Sequence, residues 1–270
     1  MKKTLKKTLI CYYYNENFLL PFFLKWHRQW FTDGIFINYG SDDGSTELIH
    51  ELCPNYEIVK PKYNDGFHAR DLDREVVDAE KGVKGWKVCL NVTEFVFHDD
   101  FDNYLDSQPE TVKGIWLPVI AMVDRIDNRD KEIDNNKPLV LQNPTGQFGC
   151  GNVRNTANGR LVHRAEHGNY VGWGRHASSL PGVISPGDAY HLWFGWSPWN
   201  KQIIKRKAQI RDKIIDDDMK IMAAGTHMMT VEQLESTFLN FQGSSNNLMN
   251  NPKFKEIYEK IEKRYKDIVL

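Results

Sequence analysis

The sequence predicts an α/β fold: a mostly parallel, doubly wound sheet with flanking helices, followed by a helical C-terminal extension. Short β-like runs alternate with amphipathic helical runs from Thr8 to Val123. Such alternation requires crossover connections, which leave neighbouring strands parallel. The chain has 270 residues and four scattered cysteines without a C-x-x-C pair, so its core needs neither disulfides nor a structural zinc ion. A chain of this length fits one large domain or two small ones.

The first two strands are each followed by a helix. Thr8 to Tyr14 predicts a buried strand, and Asn17 is the expected N-cap of a helix that continues to about Phe31, where aromatic residues recur at helical spacing. Gly34 to Tyr39 predicts the second strand. The turn residues Gly40 to Ser45 then lead into a short helix that ends at Leu52.

Three further strands complete the predicted sheet. Tyr56 to Lys60 predicts the third strand, and Phe67 to Glu80 predicts a helix that ends at Gly82. Trp86 to Phe97 predicts the fourth strand, and Gly114 to Val123 predicts the fifth. Ligands of such sheets bind beyond the carboxyl ends of the strands, so the residues that follow each strand are the first to consider.

The second half of the chain has a different pattern. Arg125 to about Gly159 is polar and rich in Gly and Asn, which predicts long loops of the kind that often carry function. Asp188 to Trp196 predicts another strand, and Trp199 to Ile215 predicts a basic helix. Two more helices are expected over Val231 to Asn240 and Pro252 to Ile268.

Charge and hydropathy exclude two classes of protein. Lys and Arg number 35 against 36 Asp and Glu, a net charge of -1, whereas a dedicated nucleic-acid binder needs a basic excess. The most apolar segment, Phe18 to Trp30, is too short and too charged to span a bilayer. We expect a cytoplasmic protein without a transmembrane segment, and peripheral association with a membrane remains open.

Polar residues follow three of the predicted strands. They are Tyr14-Asn15-Glu16, the turn Gly40 to Ser45, and Asn91-Val92-Thr93-Glu94. Neither G-x-G-x-x-G nor G-x-x-x-x-G-K-[ST] occurs in the sequence, so the common phosphate cradles are absent. A carboxylate at a strand end can accept hydrogen bonds from a ribose diol or a uracil imide, and this favours a nucleoside site.

These stretches resemble the GT-A glycosyltransferases of the family 2 and family 92 kind. There an N-E pair ends the first strand, a D-x-S-x-D-G-[ST] turn ends the second, and D-x-D-E-F ends the fourth. Gly66 to Asp71 also resembles the G-x-x-x-A-R-N stretch that opens the third helix of those proteins. The resemblance covers roughly Thr8 to Phe97, with a weaker echo at His191.

The resemblance implies an inverting glycosyltransferase that moves a sugar from a nucleotide diphosphate sugar, with UDP the expected nucleotide, to a saccharide hydroxyl. It implies a single domain over residues 1–270, with a nucleotide-sugar half (8–115), an acceptor-side half (116–197) and the helical extension (198–270). The implied nucleotide-binding residues are Tyr14, Asn15, Glu16, Ser41, Asp42, Asp43 and Arg70. Taken alone, the two aspartates also fit an ordinary turn, and the arginine also fits a surface ion pair.

The implied metal site is degenerate. Asn91 and Thr93 stand where the family has aspartates, whereas Glu94 is kept, and His191 resembles the family's C-terminal histidine. An amide and a hydroxyl are poor ligands for a hard divalent cation. Three alternatives follow: Glu94 and His191 still hold Mn²⁺ or Mg²⁺ with the diphosphate, Arg and Lys replace the metal, or the site is inactive.

Further residues are candidates for the reaction itself. The general base is expected among Asp124, Glu166 and Asp188, which are carboxylates in acceptor-side segments. Aromatic rings for the acceptor sugar are expected at Trp193, Trp196 and Trp199, and cations for phosphate at Lys201, Lys205 and Arg206.

Two other functions compete with a glycosyltransferase. The loss of the metal-site aspartates also fits a catalytically inactive GT-A module that binds nucleotide sugar or glycan. His163-Arg164-Ala165-Glu166-His167 matches H-x-x-E-H, the signature of inverted zinc peptidases. That signature requires a helix, and the glycines at 159 and 168 leave little room for one.

Overall fold

The computed structural model describes residues 6–148, 159–214 and 225–267. It confirms the α/β class. The strands of these ranges are β1 Lys7–Tyr13, β2 Asp33–Asn38, β3 Tyr56–Val59, β4 Trp86–Cys89, β5 Glu94–Phe97, β6 Gly114–Leu117, β7 Val119–Val123, β8 Thr145–Phe148, β9 Arg160–His163, β10 Val183–Ile184, β11 Tyr190–Trp196 and β12 Asn246–Asn247. The helices are α1 Leu20–His27, α2 Ser45–Leu52, α3 Ala69–Lys81, α4 Phe101–Ser107, α5 Leu139–Gln142, α6 Lys201–Gln209, α7 Val231–Gln242 and α8 Pro252–Asp267.

A seven-stranded, mostly parallel sheet forms the centre, in the order β10-β6-β9-β4-β1-β2-β3. Strands β1 to β4 are parallel, with Cys11 opposite Phe36 and Leu9 opposite Val88, whereas β9 runs antiparallel to β4 and β6. The chain adds β2 and β3 on one side of β1 and then β4 on the other. Such a reversal opens a crevice at the carboxyl ends of β1 and β4, where ligands of doubly wound sheets bind.

A second sheet of five strands, in the order β12-β8-β7-β11-β5, corrects two predictions. Trp86–Phe97 is not one strand, because a turn at Val92 and Thr93 separates β4 from β5 and sends them into different sheets. The segment from Gly114 to Val123 is divided in the same way. Pro118 lies between β6 and β7, and proline lacks the N–H that a central strand donates.

Helix α1 begins at Leu20, three residues after the predicted N-cap at Asn17. The Asn17 side chain instead donates to the backbone oxygen of Asp43. The buried face of α1 packs on the second sheet, where the rings of Phe23 and Phe95 lie 5.9 Å apart. Helices α2 and α3 follow their predictions closely, because the apolar spacing of each agrees with a clear capping or terminating signal.

The segment predicted as loops from Arg125 contains a 3-10 turn over Ile126–Asn128, α5 and β8, and its residues 149–158 lie outside the described part. The predicted basic helix is α6, which begins after the N-cap Asn200 and continues as a 3-10 turn over Ile210–Lys213. Its expected last residue, 215, also lies outside the described part. Helices α7 and α8 confirm their predictions within that part. None of the described helices has the length and apolarity needed to cross a membrane.

Candidate functional site

The loops after β1 and β2 interlock at the carboxyl edge of the sheet. Asn15 has a positive φ of 51°, which turns its side chain back towards the second loop. Its amide donates to Asp42 Oδ1 at 3.0 Å, and the Asp42 backbone N–H donates to the Asn15 side-chain oxygen at 3.0 Å. The Asn15 backbone N–H donates to Ser41 Oγ at 3.0 Å. The predicted residues Asn15, Ser41 and Asp42 are thus in direct contact.

Asp43 fits the ordinary-turn interpretation. Its Oδ1 accepts the backbone N–H and the hydroxyl of Ser45, at 3.0 and 2.6 Å, and its Oδ2 accepts the backbone N–H of Asn17 at 2.9 Å. The Glu16 backbone N–H completes the connection by donating to Ser45 Oγ at 2.9 Å. Asp43 Oδ1 therefore closes the turn of its own loop and Oδ2 joins the two loops, whereas the Asp42 side chain is exposed.

Glu16 is buried and forms a forked ion pair with Arg206 of α6. The guanidinium donates through Nε and Nη2 to the two carboxylate oxygens, each at 2.5 Å. Burial raises the pKa of Glu16, and the charge of Arg206 opposes that shift. The pair joins the predicted Glu16 to a residue 190 positions later. Lys201 and Lys205, on the same helix, are exposed.

The rest of the basic helix also covers the strand ends. Gln209 donates to the Asn15 backbone oxygen at 2.8 Å, and the Lys213 ammonium lies 4.7 Å from the centre of the Tyr14 ring. Lys207 is buried, with its ammonium 4.3 Å from the centre of the Trp196 ring, and burial lowers its pKa to about 7. The Lys213–Tyr14 pair is thus a cation–aromatic contact at the residue that precedes Asn15.

The metal-site residues do not fit a divalent cation. Both Glu94 oxygens are engaged: Arg160 donates to them from Nε and Nη2, at 2.8 and 2.5 Å, and Asn91 donates from its backbone and its amide, at 2.8 and 3.1 Å. The Asn91 amide nitrogen thus donates to Glu94, which leaves only the neutral Asn91 Oδ1, whereas a hard divalent cation needs several oxygen ligands. Thr93 is buried in the turn before β5. No group of three His, Cys, Asp or Glu in the described ranges could hold a metal ion.

His191 lies on β11, opposite Val96 of β5, and is 1% exposed. Its charge would act on the Glu94 carboxylate and lower the pKa of that group, so the two predicted residues are near each other. Its backbone N–H donates to Pro118 O at 2.9 Å. The imidazole therefore belongs to the interior between the strands rather than to an open nucleotide pocket.

Sequence reasoning missed Arg160 and the loop that follows β9. The Arg160 Nη1 contacts Gly174 O at 3.2 Å and His176 Nδ1 at 2.7 Å. Arg175, in the loop after β9, donates to the Asp73 carboxylate of α3 and to the Tyr12 hydroxyl of β1. The sequence pattern that could have indicated this loop is Gly172-Trp173-Gly174-Arg175. Glycines that alternate with large residues are typical of a tightly turned loop. Gly172, Gly174 and Arg175 all have positive φ.

Arg70 lies on the exposed side of α3. Its guanidinium carbon is 5.8 Å from the centre of the Trp173 ring, and it makes no ion pair with a described residue, in contrast to the surface-pair interpretation. The structure thus brings Arg70 to the loop after β9 rather than into contact with Asp42 or Asp43.

The three candidate bases have different surroundings. Asp124 is fully buried, and its oxygens accept the Asn143 amide at 2.6 Å and the Trp199 backbone N–H at 2.7 Å. Burial raises the pKa of Asp124 to about 6. This carboxylate fastens core elements and is not open to an acceptor, so the expectation is corrected. Glu166 and Asp188 are exposed, the latter 3.6 Å from His98 Nε2.

The tryptophan prediction is also corrected. Trp196 and Trp199 are 1% and 0% exposed, and their rings lie 5.2 Å apart. The Trp199 ring stacks on Phe238 of α7 at 4.5 Å, so its faces are covered by the core and cannot receive a sugar. Trp193 is half-buried against the same core.

The zinc-peptidase alternative is wrong. His163 is the last residue of β9, and Glu166 and His167 follow the strand without a helix. The His163 imidazole lies against Glu80 of α3, with Nε2 and Oε1 3.2 Å apart. The two histidines of the motif therefore do not share a helix face.

No protein-family model and no curated protein matches the chain. Two solved structures share part of its layout. A putative glucose-1-phosphate thymidylyltransferase from Bacillus anthracis is 14% identical with a TM-score of 0.31, over 50% of this chain and 62% of that one. The inositol-1-phosphate CTP transferase from T. maritima is 9% identical with a TM-score of 0.36, over 80% of this chain and all of the other. The chain thus spans less than two thirds of the Bacillus protein.

Proposed function

We propose that this chain is a nucleotide-sugar transferase, and more narrowly an inverting glycosyltransferase that works without a metal ion. The observation that carries the proposal is the group at the carboxyl ends of β1 and β2. There the exposed Asp42 carboxylate is bound to Asn15, the residue that follows Tyr14, and the Tyr14 ring carries the Lys213 ammonium. A carboxylate suits a ribose diol, and an ammonium suits a phosphate.

The metal-free part of the proposal rests on Glu94. A carboxylate that accepts a guanidinium fork and an amide has no oxygen left for a cation. Neutralisation of the leaving diphosphate then falls to cations of the chain. Lys213 is the candidate at the strand ends, because Arg206 is already paired with Glu16.

In the proposed reaction the acceptor oxygen forms a bond to the anomeric carbon while the bond from that carbon to the diphosphate oxygen breaks. The leaving diphosphate takes the electron pair, and a carboxylate takes the hydroxyl proton. Glu166 and Asp188 are the two exposed candidates for that carboxylate. UDP as the nucleotide, a saccharide as the acceptor and the division at residues 115 and 197 are parts of the same proposal.

The test is a thermal-shift titration with UDP, in EDTA and in Mn²⁺, together with an assay of donor turnover. A ligand at 100 times its Kd adds about 2.7 kcal/mol of stability, so we expect a clear UDP shift that EDTA leaves unchanged. Turnover should also persist in EDTA. A UDP shift that appears only with Mn²⁺ would contradict the metal-free mechanism, and no UDP shift under either condition would contradict the nucleotide site.

An inactive module that binds nucleotide sugar is the second candidate. Two observations favour it. The Glu94 carboxylate is occupied by an internal ion pair and so cannot bind a metal, and Asp124 is buried in the core and so cannot act as the base. UDP binding without hydrolysis of any UDP-sugar, and without transfer to an added saccharide, would decide for this candidate. Transfer at a measurable rate would decide against it.

A further inference from the structure

An open cleft of about 750 Å³ lies between α3 and the loop after β9. Its size falls in the range of about 300–1,000 Å³ that small-molecule sites occupy. The floor is fixed to the central sheet, because Asp73 on α3 accepts the Gly174 backbone N–H at 3.0 Å and the Arg175 guanidinium, which also reaches the Tyr12 hydroxyl of β1.

Two exposed aromatic side chains line this cleft. Tyr63 is 38% exposed and Trp173 is 44% exposed, and no other tyrosine or tryptophan in the described ranges has so large an exposed fraction. The Tyr63 ring is held by a hydrogen bond, and the Trp173 backbone by a tight turn. The Tyr63 hydroxyl donates to Asp78, and Trp173 follows Gly172 in the tight turn. Such rings offer flat apolar faces to the C–H face of a sugar ring.

Each ring also carries a guanidinium. Arg74 lies 3.9 Å from the centre of the Tyr63 ring, and Arg70 lies 5.8 Å from the centre of the Trp173 ring. Arg74 is 60% exposed beyond its contact with Asp71. A guanidinium that is held on a ring keeps a fork of donors for a phosphate or carboxylate group. Lys81, also on α3, adds a third cation to the lining.

We propose that this cleft binds an anionic saccharide, that is, a sugar with a phosphate or carboxylate substituent. The sugar ring packs on Trp173 and Tyr63, and its anionic group contacts Arg70 and Arg74. The role of this saccharide as the acceptor rests on the proposed glycosyltransferase function, whereas its binding in the cleft does not. A nucleic acid fits the cleft less well, since Asp73 and Asp78 interrupt the cations along α3 and would repel a continuous phosphate backbone.

The test measures binding of five probes by calorimetry and by quenching of tryptophan fluorescence. Glucose 6-phosphate and trigalacturonate supply a phosphate and a carboxylate, maltotriose is the neutral comparison, decathymidylate represents nucleic acid, and UDP reports the strand-end site. We expect at least one anionic sugar to bind about tenfold or more tightly than maltotriose, as expected for hydrogen bonds to charged groups. The anionic sugar that binds shows whether the cleft recognises a phosphate or a carboxylate.

Two variants and two controls make the assignment specific. Trp173→Ala and Arg74→Gln should each weaken binding of the anionic sugar by about fivefold or more. Both should leave UDP binding unchanged. The two controls should change neither the binding of the anionic sugar nor that of UDP. They are Val171→Ala, in the same loop and 56% exposed, and Lys255→Gln, which removes an exposed cation of α8. Melting temperatures verify that all four variants fold.

Three results would overturn the cleft assignment: no anionic sugar binds, both variants bind it as the wild type does, or decathymidylate binds more tightly and competes. UDP binding distinguishes a failure of the cleft assignment from a failure of the proposed function. Lost sugar binding with intact UDP binding overturns the cleft only, and intact sugar binding without UDP binding overturns the nucleotide site only.

Discussion

Arg160 and Glu94 form a buried, forked ion pair at the start of β5, with Nε and Oε2 2.8 Å apart. Each side chain is no more than 3% exposed. Burial raises the pKa of Glu94, but the charges of Arg160 and His191 and the hydrogen bonds from Arg160 and Asn91 together lower it to about 2. The residue that most resembles a metal ligand is therefore half of a structural ion pair that fastens the loop after β9 to the second sheet.

Removal of one partner should leave the other as an uncompensated buried charge. We expect Arg160→Met to lower the free energy of unfolding by about 3–5 kcal/mol, measured by urea denaturation. The control is Lys255→Met, which breaks an exposed contact of 3.9 Å with Glu259 and should cost at most about 0.5 kcal/mol. The double variant Arg160→Met/Glu94→Leu should recover part of the loss. A loss below 1 kcal/mol in the single variant would refute the buried-pair assignment.

The two aspartates of the β2 loop should respond differently to substitution. Asp42→Asn removes an exposed carboxylate, so it should weaken UDP binding with little change in melting temperature. Asp43→Ala leaves the backbone donors of Ser45 and Asn17 without their acceptor, which should cost about 1–3 kcal/mol of stability. Thermal-shift titration with UDP measures both effects. Equal UDP affinity in wild type and Asp42→Asn would argue against a nucleoside contact at this carboxylate.

His27 should make stability depend on pH. Its Nδ1 donates to Phe23 O at 2.8 Å while its Nε2 accepts the Val96 backbone N–H at 3.3 Å, so the folded state needs the neutral ring. Burial lowers its pKa from 6.5 to about 3. Below pH 6.5 His27 is protonated in the unfolded chain but stays neutral in the folded chain. The free energy of unfolding should therefore fall as pH decreases, by about 1.4 kcal/mol per pH unit for this one group.

The measurement is the difference between wild type and variant in urea denaturation from pH 6.5 to 4.5, because other groups with shifted pKa, such as His176 and Asp124, contribute equally to both proteins. His27→Gln should reduce the slope by about one proton, and His50→Gln, at an exposed position on α2, controls for the loss of a histidine. Identical slopes for the wild type and His27→Gln would show that the neutral, doubly bonded ring is not the state that the fold selects.

Trp199 should behave as a core residue and Trp173 as a ligand-binding one. Trp199 is fully buried and stacks on Phe238, so Trp199→Ala should cost about 3–5 kcal/mol without a change in UDP affinity at a temperature where it is folded. Trp173→Ala should cost less than about 1 kcal/mol, because its ring is largely exposed. Similar losses of stability in the two variants, measured by thermal denaturation, would contradict this division.

Local sequence patterns predicted the first ninety residues well. β1, β2, β3, α2 and α3 lie within a few residues of their predicted bounds, because apolar period and turn chemistry agree in each. The contact of Asn15 with Ser41 and Asp42 also follows from the sequence, since parallel neighbours bring their carboxyl ends to one edge. The strand predicted from Trp86 failed because an apolar run does not reveal which sheet each half joins.

By itself the sequence determined the order of strands and helices and which polar residues follow the strands. Only the tertiary structure decided what those residues contact. Glu94 meets Arg160 across 66 positions, and Glu16 meets Arg206 across 190. The same holds for two residues of one type. Trp199 stacks on Phe238 in the core, whereas Trp173 is partly exposed to solvent. Local propensity acts through neighbours along the chain, whereas burial and charge pairing depend on which distant segments pack together.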